Sequence, residues 1–187
     1  MYRDLFFPTP IYVEDIGSPE LNKHLEESIL LLSKKDPGIK KSNVKGWHSK
    51  NDIYNMPEYE ELVNLLFKMQ NKIYKEEGLE PHPVIGNMWA NINPKGGFNT
   101  SHIHSNALWS GAYYVKTPNN CGKLAIKDPR AISLMTLPRY NKKLQPCQWK
   151  QVYYEAVAGR CIMFPAWLEH FVEPNQSNKL RISISRS

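Results

Sequence analysis

Apolar and polar positions follow two different periods along this chain. In the first part, Leu21, Leu25, Ile29 and Leu32 recur every three or four residues, the spacing of one face of an α-helix. Ser18 followed by Pro19 reads as an N-cap and first helical residue, and Asp36-Pro37-Gly38 as the stop. A second stripe, Leu62, Leu65, Leu66, Met69 and Ile73, predicts a helix from about Pro57 to a stop at Gly78. Both helices are predicted to lie against a sheet. Ahead of them, residues 2–16 read as an opening strand that Pro8 and Pro10 confine to a sheet edge.

From about residue 82 the period drops to two. The runs 84–93, 108–115, 123–128, 151–157, 160–165, 170–174 and 180–185 are short, rich in aromatic and β-branched residues, and separated by turn-forming stretches such as 93–97 and 117–122. Many short strands with no helices between them predict an antiparallel sandwich or barrel rather than a parallel sheet. The expected class is mainly β with flanking helices (α+β). One domain is expected over residues 1–187, with helical support at about 18–78 and the strand core at about 82–187.

Composition narrows this picture. The 41% hydrophobic and 11% aromatic content supplies a core and excludes a disordered chain. A formal charge of +6 favours an anionic partner or simply solubility. The lysine pairs at 34–35, 40–41 and 142–143 never grow into a basic block, which favours solubility and leaves nucleic acid open as a partner. Three scattered cysteines, Cys121, Cys147 and Cys161, make neither a disulfide framework nor a CxxC site and point to a reducing compartment. No run of 18 apolar residues is present, and the N-terminal residues lack the form of a signal peptide. A cytoplasmic protein with no membrane contact is expected, and pairing of two copies through a sheet edge stays open.

The candidate chemistry lies in the second part. His102 and His104 stand two positions apart, so an extended segment projects both imidazoles to one face, where they can share a metal. Taken alone, such a pair is more often structural. His170, just past the apolar run 160–165, is placed to close a three-nitrogen site. Further on, Arg181, Ser183 and Ser185 share one face and Ile182 and Ile184 the other. A guanidinium turned into a barrel needs an anion, either a ligand carboxylate held by two parallel hydrogen bonds or one of the chain's own acids in a salt bridge.

In this order the motifs resemble the 2-oxoglutarate- and Fe(II)-dependent oxygenases. The resemblance is closer still to a little-characterised group of these enzymes common in marine bacteria and phages. Its pattern runs GW-x-S, W-x-N-x-N, H-x-H with a downstream SG-x-YY, G-x-x-x-x-FP-x-x-x-x-H and R-x-S. Here it reads GWHS at 46–49, WANIN at 89–93, HIH at 102–104, SGAYYV at 110–115, GRCIMFPAWLEH at 159–170 and RIS at 181–183. The resemblance implies a double-stranded β-helix, the cupin-like jelly roll, behind two N-terminal helices. It also implies His102 and His170 as Fe(II) ligands, and Arg181 with Ser183 as the anchor for the distal carboxylate of 2-oxoglutarate. With O2, the implied reaction oxidises an unactivated C–H bond, hydroxylation being the default outcome, and releases succinate and CO2.

The wider superfamily usually has Asp or Glu where His104 stands. His104 is therefore a third neutral ligand, a neighbour of the metal with water completing the coordination, or the mark of a site that has lost activity. Asp128 is the one acid on the middle strands considered as a substitute ligand, although Asp-Pro also opens turns. Asn91 and Asn93 are candidate contacts to cosubstrate and substrate. Trp47, like Trp89, is a candidate pocket wall or a core residue. Of Tyr113 and Tyr114 only one can face the interior; Tyr113, in step with Trp109 and Gly111, is taken as the cosubstrate contact. His24, His48 and His82 read as bystanders. The substrate, a small molecule or a peptide, is not legible. Two rival readings are a cupin-like three-His metalloenzyme that needs no 2-oxoglutarate and a non-catalytic basic β-sandwich binding module.

Overall fold

Ser18 starts the first helix as its sequence implies. Its Oγ accepts from the Leu21 backbone N–H at 3.1 Å, Pro19 takes the first helical position, and α1 runs Pro19–Lys35. The second helix, α2, runs Glu60–Glu76 after two short 3-10 turns, Ile53–Asn55 and Pro57–Tyr59, so the α-helical part begins one turn later than the stripe predicted. These elements come from a computed structural model that describes residues 1–80, 82–130, 132, 135–136 and 138–187. Among the described residues no helix is long and apolar enough to cross a membrane.

Among the described residues eleven strands form two sheets. They are β1 (Tyr12–Asp15), β2 (Asn43–Val44), β3 (Trp47–His48), β4 (Met88–Asn93), β5 (Phe98–His102), β6 (Trp109–Lys116), β7 (Leu124–Lys127), β8 (Gln151–Tyr154), β9 (Arg160–Pro165), β10 (His170–Val172) and β11 (Arg181–Arg186). One sheet has the order β1-β9-β6-β11-β4-β3 and the other β2-β5-β10-β7-β8, with antiparallel neighbours throughout. This is the expected mainly-β jelly roll with few helices. The opening strand shrinks to Tyr12–Asp15 but does lie at a sheet edge. The two-residue strands β2 and β3 were not foreseen, because two residues carry no period.

Alternation along the six-stranded sheet separates two interiors. Ile182 and Ile184 of β11, with Ala90 and Ile92 of β4 and Tyr113 and Val115 of β6, pack with Leu25 and Ile29 of α1 and Leu62, Leu66 and Ile73 of α2. The opposite parity faces the second sheet, where Tyr114, Ile162 and Phe164 meet Leu124, Ile126 and Leu168.

This parity corrects two sequence assignments. Tyr113 is not a cosubstrate contact: it is 1% exposed on the helix side, and its hydroxyl donates to Asn22 Oδ1 of α1 at 2.6 Å. Gly17 is what admits it, since a Cβ there would lie 1.8 Å from the Tyr113 hydroxyl oxygen. Trp47 is not a substrate wall either. It sits opposite Ile92, packs against the helix-side core, and donates its indole N–H to the Asp36 carbonyl at 2.9 Å. Tyr113→Phe should therefore lower unfolding stability in urea by about 1 kcal/mol and leave 2-oxoglutarate affinity unchanged. A loss of 2-oxoglutarate affinity would return Tyr113 to the site.

Candidate metal centre

His170 stands directly across from His102 in the pairing of β10 with β5, so the ladder itself brings two imidazoles together. His104 lies two residues past the end of β5, where its backbone N–H donates to the Ala166 carbonyl at 3.0 Å. The ring centroids are 4.3 Å apart for His102 and His170, 5.0 Å for His102 and His104, and 5.1 Å for His104 and His170. One nitrogen from each ring can be chosen so that all three lie within 4.8 Å of one another. Among the described residues no Asp, Glu or Cys joins this group.

Two of the rings are held in one tautomer. Nδ1 of His102 lies 2.7 Å from the Thr100 carbonyl and Nδ1 of His170 lies 2.8 Å from the Leu168 carbonyl. A carbonyl only accepts, so each Nδ1 carries the hydrogen and each Nε2 keeps a lone pair for a metal. Burial lowers the pKa of all three imidazoles, helped by the neighbouring histidines in His104 and His170. His104 falls to about 4 and His170 to about 3. At neutral pH the three are uncharged, the form that binds a metal.

Deeper between the sheets lies an enclosed cavity lined by the three histidines together with Asn91, Ser110, Tyr114, Phe164, Ser183 and Ser185. Arg181 shares this face of β11 and is 1% exposed. Its Nη1 donates to the Glu173 carbonyl at 2.9 Å and to the Cys121 carbonyl, while Nη2 has no partner among the described residues. The Tyr114 hydroxyl, opposite Ser183 in the ladder, is likewise buried with no partner among the described residues. The salt-bridge alternative for Arg181 is not realised among the described residues: the nearby Glu173 carboxylate accepts instead from the Lys123 backbone N–H at 3.0 Å. Three neutral imidazoles at ligand spacing, with an unneutralised guanidinium and an idle phenol hydroxyl on the inner face, fit a divalent metal and an anionic carboxylate ligand.

The remaining candidates divide. Asn91 lines the cavity, its Nδ2 donating to Ser185 Oγ at 3.3 Å and its Oδ1 without a partner among the described residues. Asn93 is 1% exposed opposite Arg181, with neither side-chain polar atom paired among the described residues. Asp128 stands outside the histidine group and binds Arg130 through contacts of 2.9 and 3.0 Å. His24 contacts the Glu58 carbonyl, away from the site. Two residues that the sequence reading does not assign to the site are here: Tyr114, the alternative to Tyr113, and His48, read there as a bystander, which is 3% exposed and stacks on Trp89 at 5.4 Å beside His104. Once Trp47 is known to face the helices, strand parity sends His48 to the site.

Residues 87–186 match the family described as "Putative 2OG-Fe(II) oxygenase". The chain belongs to that family. As a member it is an Fe(II)- and 2-oxoglutarate-dependent oxygenase, with O2 as co-reactant. No curated protein matches the sequence. A prolyl-4-hydroxylase from Pseudomonas putida is 12% identical, with a TM-score of 0.67 over 95% of this chain and 91% of that one. The non-heme alpha ketoglutarate dependent epimerase SnoN from nogalamycin biosynthesis is 10% identical, with a TM-score of 0.71 over 95% of this chain and 75% of that one. HygX from Streptomyces hygroscopicus, solved with nickel and 2-oxoglutarate bound, is 10% identical, with a TM-score of 0.64 over 95% and 82%. At these identities the likeness is one of fold, and it matches the jelly roll described above.

The lowered imidazole pKa values set the acid behaviour of the metal-free oxygenase. An unfolded histidine takes up a proton near pH 6.5, whereas the folded His104 and His170 do so only near 4 and 3. Below about pH 6.5 the unfolded chain therefore binds more protons than the folded one, and stability is lost as pH falls. Urea unfolding of metal-free protein should show stability falling from pH 7 to pH 4.5. The triple variant His102→Gln, His104→Gln, His170→Gln should flatten that slope; an unchanged slope would refute buried, neutral imidazoles.

Proposed function

We propose that this oxygenase is a hydroxylase whose iron is held by His102, His104 and His170. In the same reading 2-oxoglutarate is held by Arg181, with Ser183, Tyr114 and Asn91 beside it. The observation that carries it is the buried guanidinium without a carboxylate, on the inner face that also presents three convergent imidazoles. A planar guanidinium pairs a carboxylate through parallel N–H donors, and the unpaired Tyr114 hydroxyl adds a third donor. Bound iron, with 2-oxoglutarate and O2, supplies an oxidant that places one oxygen atom in a substrate C–H bond while the cosubstrate becomes succinate and CO2.

The protein's part is positioning and exclusion. The Thr100 and Leu168 carbonyls fix the His102 and His170 rings, so their Nε2 atoms need no reorganisation to bind metal. Phe164, packed 4.7 Å from the His170 ring, and Leu124 make the inner wall apolar and keep water from the reacting centre. His104 as a neutral third ligand leaves the iron one negative charge short of a two-histidine, one-carboxylate site. The spacing and neutrality of its ring support that role over that of a bystander. The substrate, a small molecule or a peptide, enters from the side of His102 and His104, where a cleft of about 380 Å³ opens.

Anaerobic titration of metal-free protein with Fe(II) and 2-oxoglutarate tests this reading by the weak visible charge-transfer band of the chelate. Wild type should show the band. His104→Ala should weaken Fe(II) binding by about tenfold or more, and His104→Asp should retain it. Arg181→Ala should weaken 2-oxoglutarate by about 100-fold while keeping Fe(II) affinity. Absence of the band in folded wild type would overturn the reading, and an unaltered His104→Ala would demote His104 to a neighbour of the metal. Hydroxylation itself is checked by succinate release matched by a product heavier by one oxygen atom.

A further inference from the structure

The cleft outside the histidines has walls of definite chemistry. It is lined by Lys41, Ser42, His48, Asn51 and Trp89 together with His102 and His104, by no Asp or Glu side chain among the described residues, and also by Ser187, whose carbonyl accepts from the backbone N–H groups of Gly86 and Asn87 at 3.1 and 2.9 Å. Lys41 has no ion pair among the described residues, and its backbone N–H is pinned by Asn43 Oδ1 at 2.8 Å. An ammonium with no ion pair among the described residues, on the rim of a cleft lined by no Asp or Glu side chain, favours a ligand that carries negative charge.

The same cleft also presents acceptors. Nδ1 of His48 lies 2.6 Å from the Ser49 carbonyl and must carry the hydrogen, so Nε2 of this buried, neutral ring accepts. Asn51 Oδ1 is buried with no partner among the described residues, while the Asn51 carbonyl accepts from Met88 N–H at 2.8 Å and fixes the residue against β4. A buried acceptor left unpaired is destabilising unless a ligand satisfies it. The two acceptors call for N–H donors on the ligand. The Trp89 ring, 8% exposed between His48 and His104, supplies an apolar floor next to the metal centre. A volume of about 380 Å³ admits a molecule of amino-acid size.

We propose that the substrate is a free amino acid or a close analogue, with its carboxylate on Lys41, its amino N–H donors on His48 Nε2 and Asn51 Oδ1, and its side chain on Trp89. The proposal rests on the oxygenase reading above and names the substrate class for that site. A ligand of this class is zwitterionic. Its anionic end meets the lone ammonium, and its cationic end meets acceptors rather than a second cation. The carbon to be oxidised then belongs to the side chain, which lies on the Trp89 floor toward His104.

The experiment loads the full chain with Ni(II) and 2-oxoglutarate, which bars turnover, and first measures uptake of both. The twenty proteinogenic L-amino acids are then titrated calorimetrically in four forms: free, as the primary amide, as the N-acetyl derivative, and blocked at both ends. At least one free amino acid should bind with a dissociation constant below about 1 mM, its amide and N-acetyl forms about tenfold or more weaker. Lys41→Met should weaken the free acid about tenfold and leave its amide unchanged, and Asn51→Leu should weaken the free amine but not the N-acetyl form, both with 2-oxoglutarate uptake intact. Normal uptake of Ni(II) and 2-oxoglutarate with no amino acid bound overturns this proposal alone. So does a ligand indifferent to Lys41→Met. Doubly blocked forms that bind as well as free ones overturn it in favour of a peptide. Failure to take up 2-oxoglutarate overturns the oxygenase reading and this proposal with it.

Discussion

The Arg181 guanidinium, sealed between two sheets with only carbonyl oxygens on Nη1, governs how the second half of the chain is arranged. Arginine does not shed its charge inside a protein, and an ionised group without a counter-charge is destabilising by several kcal/mol. Two segments, the turn after β6 and the connection from β10 to β11, converge to limit that penalty. The turn after β6 presents the Cys121 carbonyl, which requires Gly122 at φ +84° with Glu173 O 2.5 Å and Arg181 Nη1 2.9 Å from where a Cβ would stand. The residue after β10 presents the Glu173 carbonyl. Asn175, 0% exposed, ties Nδ2 to the carbonyls of Asn93 and Lys179 and so fixes the connection that delivers β11. The protein stops short of neutralising the charge, and a cosubstrate carboxylate completes it in the proposed reading.

How far the sequence discloses this depends on whether a strand is two-faced. In β11, Arg181, Ser183 and Ser185 alternate with Ile182 and Ile184, so the face turned to the site can be read directly. In β6 both parities are apolar, because one face packs on α1 and α2 and the other on the second sheet. A strand buried on both sides has no signal of direction, and that is why Tyr113 rather than Tyr114 was assigned to the site. The small residues Ser110 and Ala112, in step with Tyr114, were the available hint, since the cavity needs room on that parity. Trp47 and His48 fail for another reason: β3 is two residues long, and only its register against Ile92 and Asn91 tells which of the pair faces inward. The first helix, with its Ser18 cap and apolar stripe set by local chemistry, is legible almost to the residue, whereas α2, which has no side-chain cap, begins one turn after the stripe predicts.

The histidine cluster shows how an oxygenase fold tolerates an imidazole where a carboxylate is usual. Three rings with ligand nitrogens within 4.8 Å cannot all be cationic, and burial lowers each pKa further, so the metal-free site is neutral rather than repulsive. A carboxylate in the position of His104 would offset part of the metal's charge. Without it, a divalent ion leaves the site more positive, which strengthens attraction for an anionic cosubstrate and relaxes discrimination among Fe(II), Zn(II) and Cu(II). In the proposed reading, selectivity would then rest on the cosubstrate, whose oxygen donors would join the nitrogens of His102, His104 and His170.

In the proposed reading, the spacing between metal and anion sites comes from β10. His170 opens that strand and pairs with His102, while Glu173, just past its end, gives Arg181 its carbonyl. Three steps of about 3.3 Å put these two points roughly 10 Å apart along the strand. That is a span an extended five-carbon diacid can bridge when one end sits on a metal and the other on a guanidinium. Because β10 is held on both sides, by β5 through His102 and by β7 through Ile126, Ala125 and Leu124, it cannot shorten or slip without breaking two ladders. In the proposed reading, the ladder that brings His102 to His170 thus also sets the reach of the cosubstrate pocket, with the short β10 as its ruler.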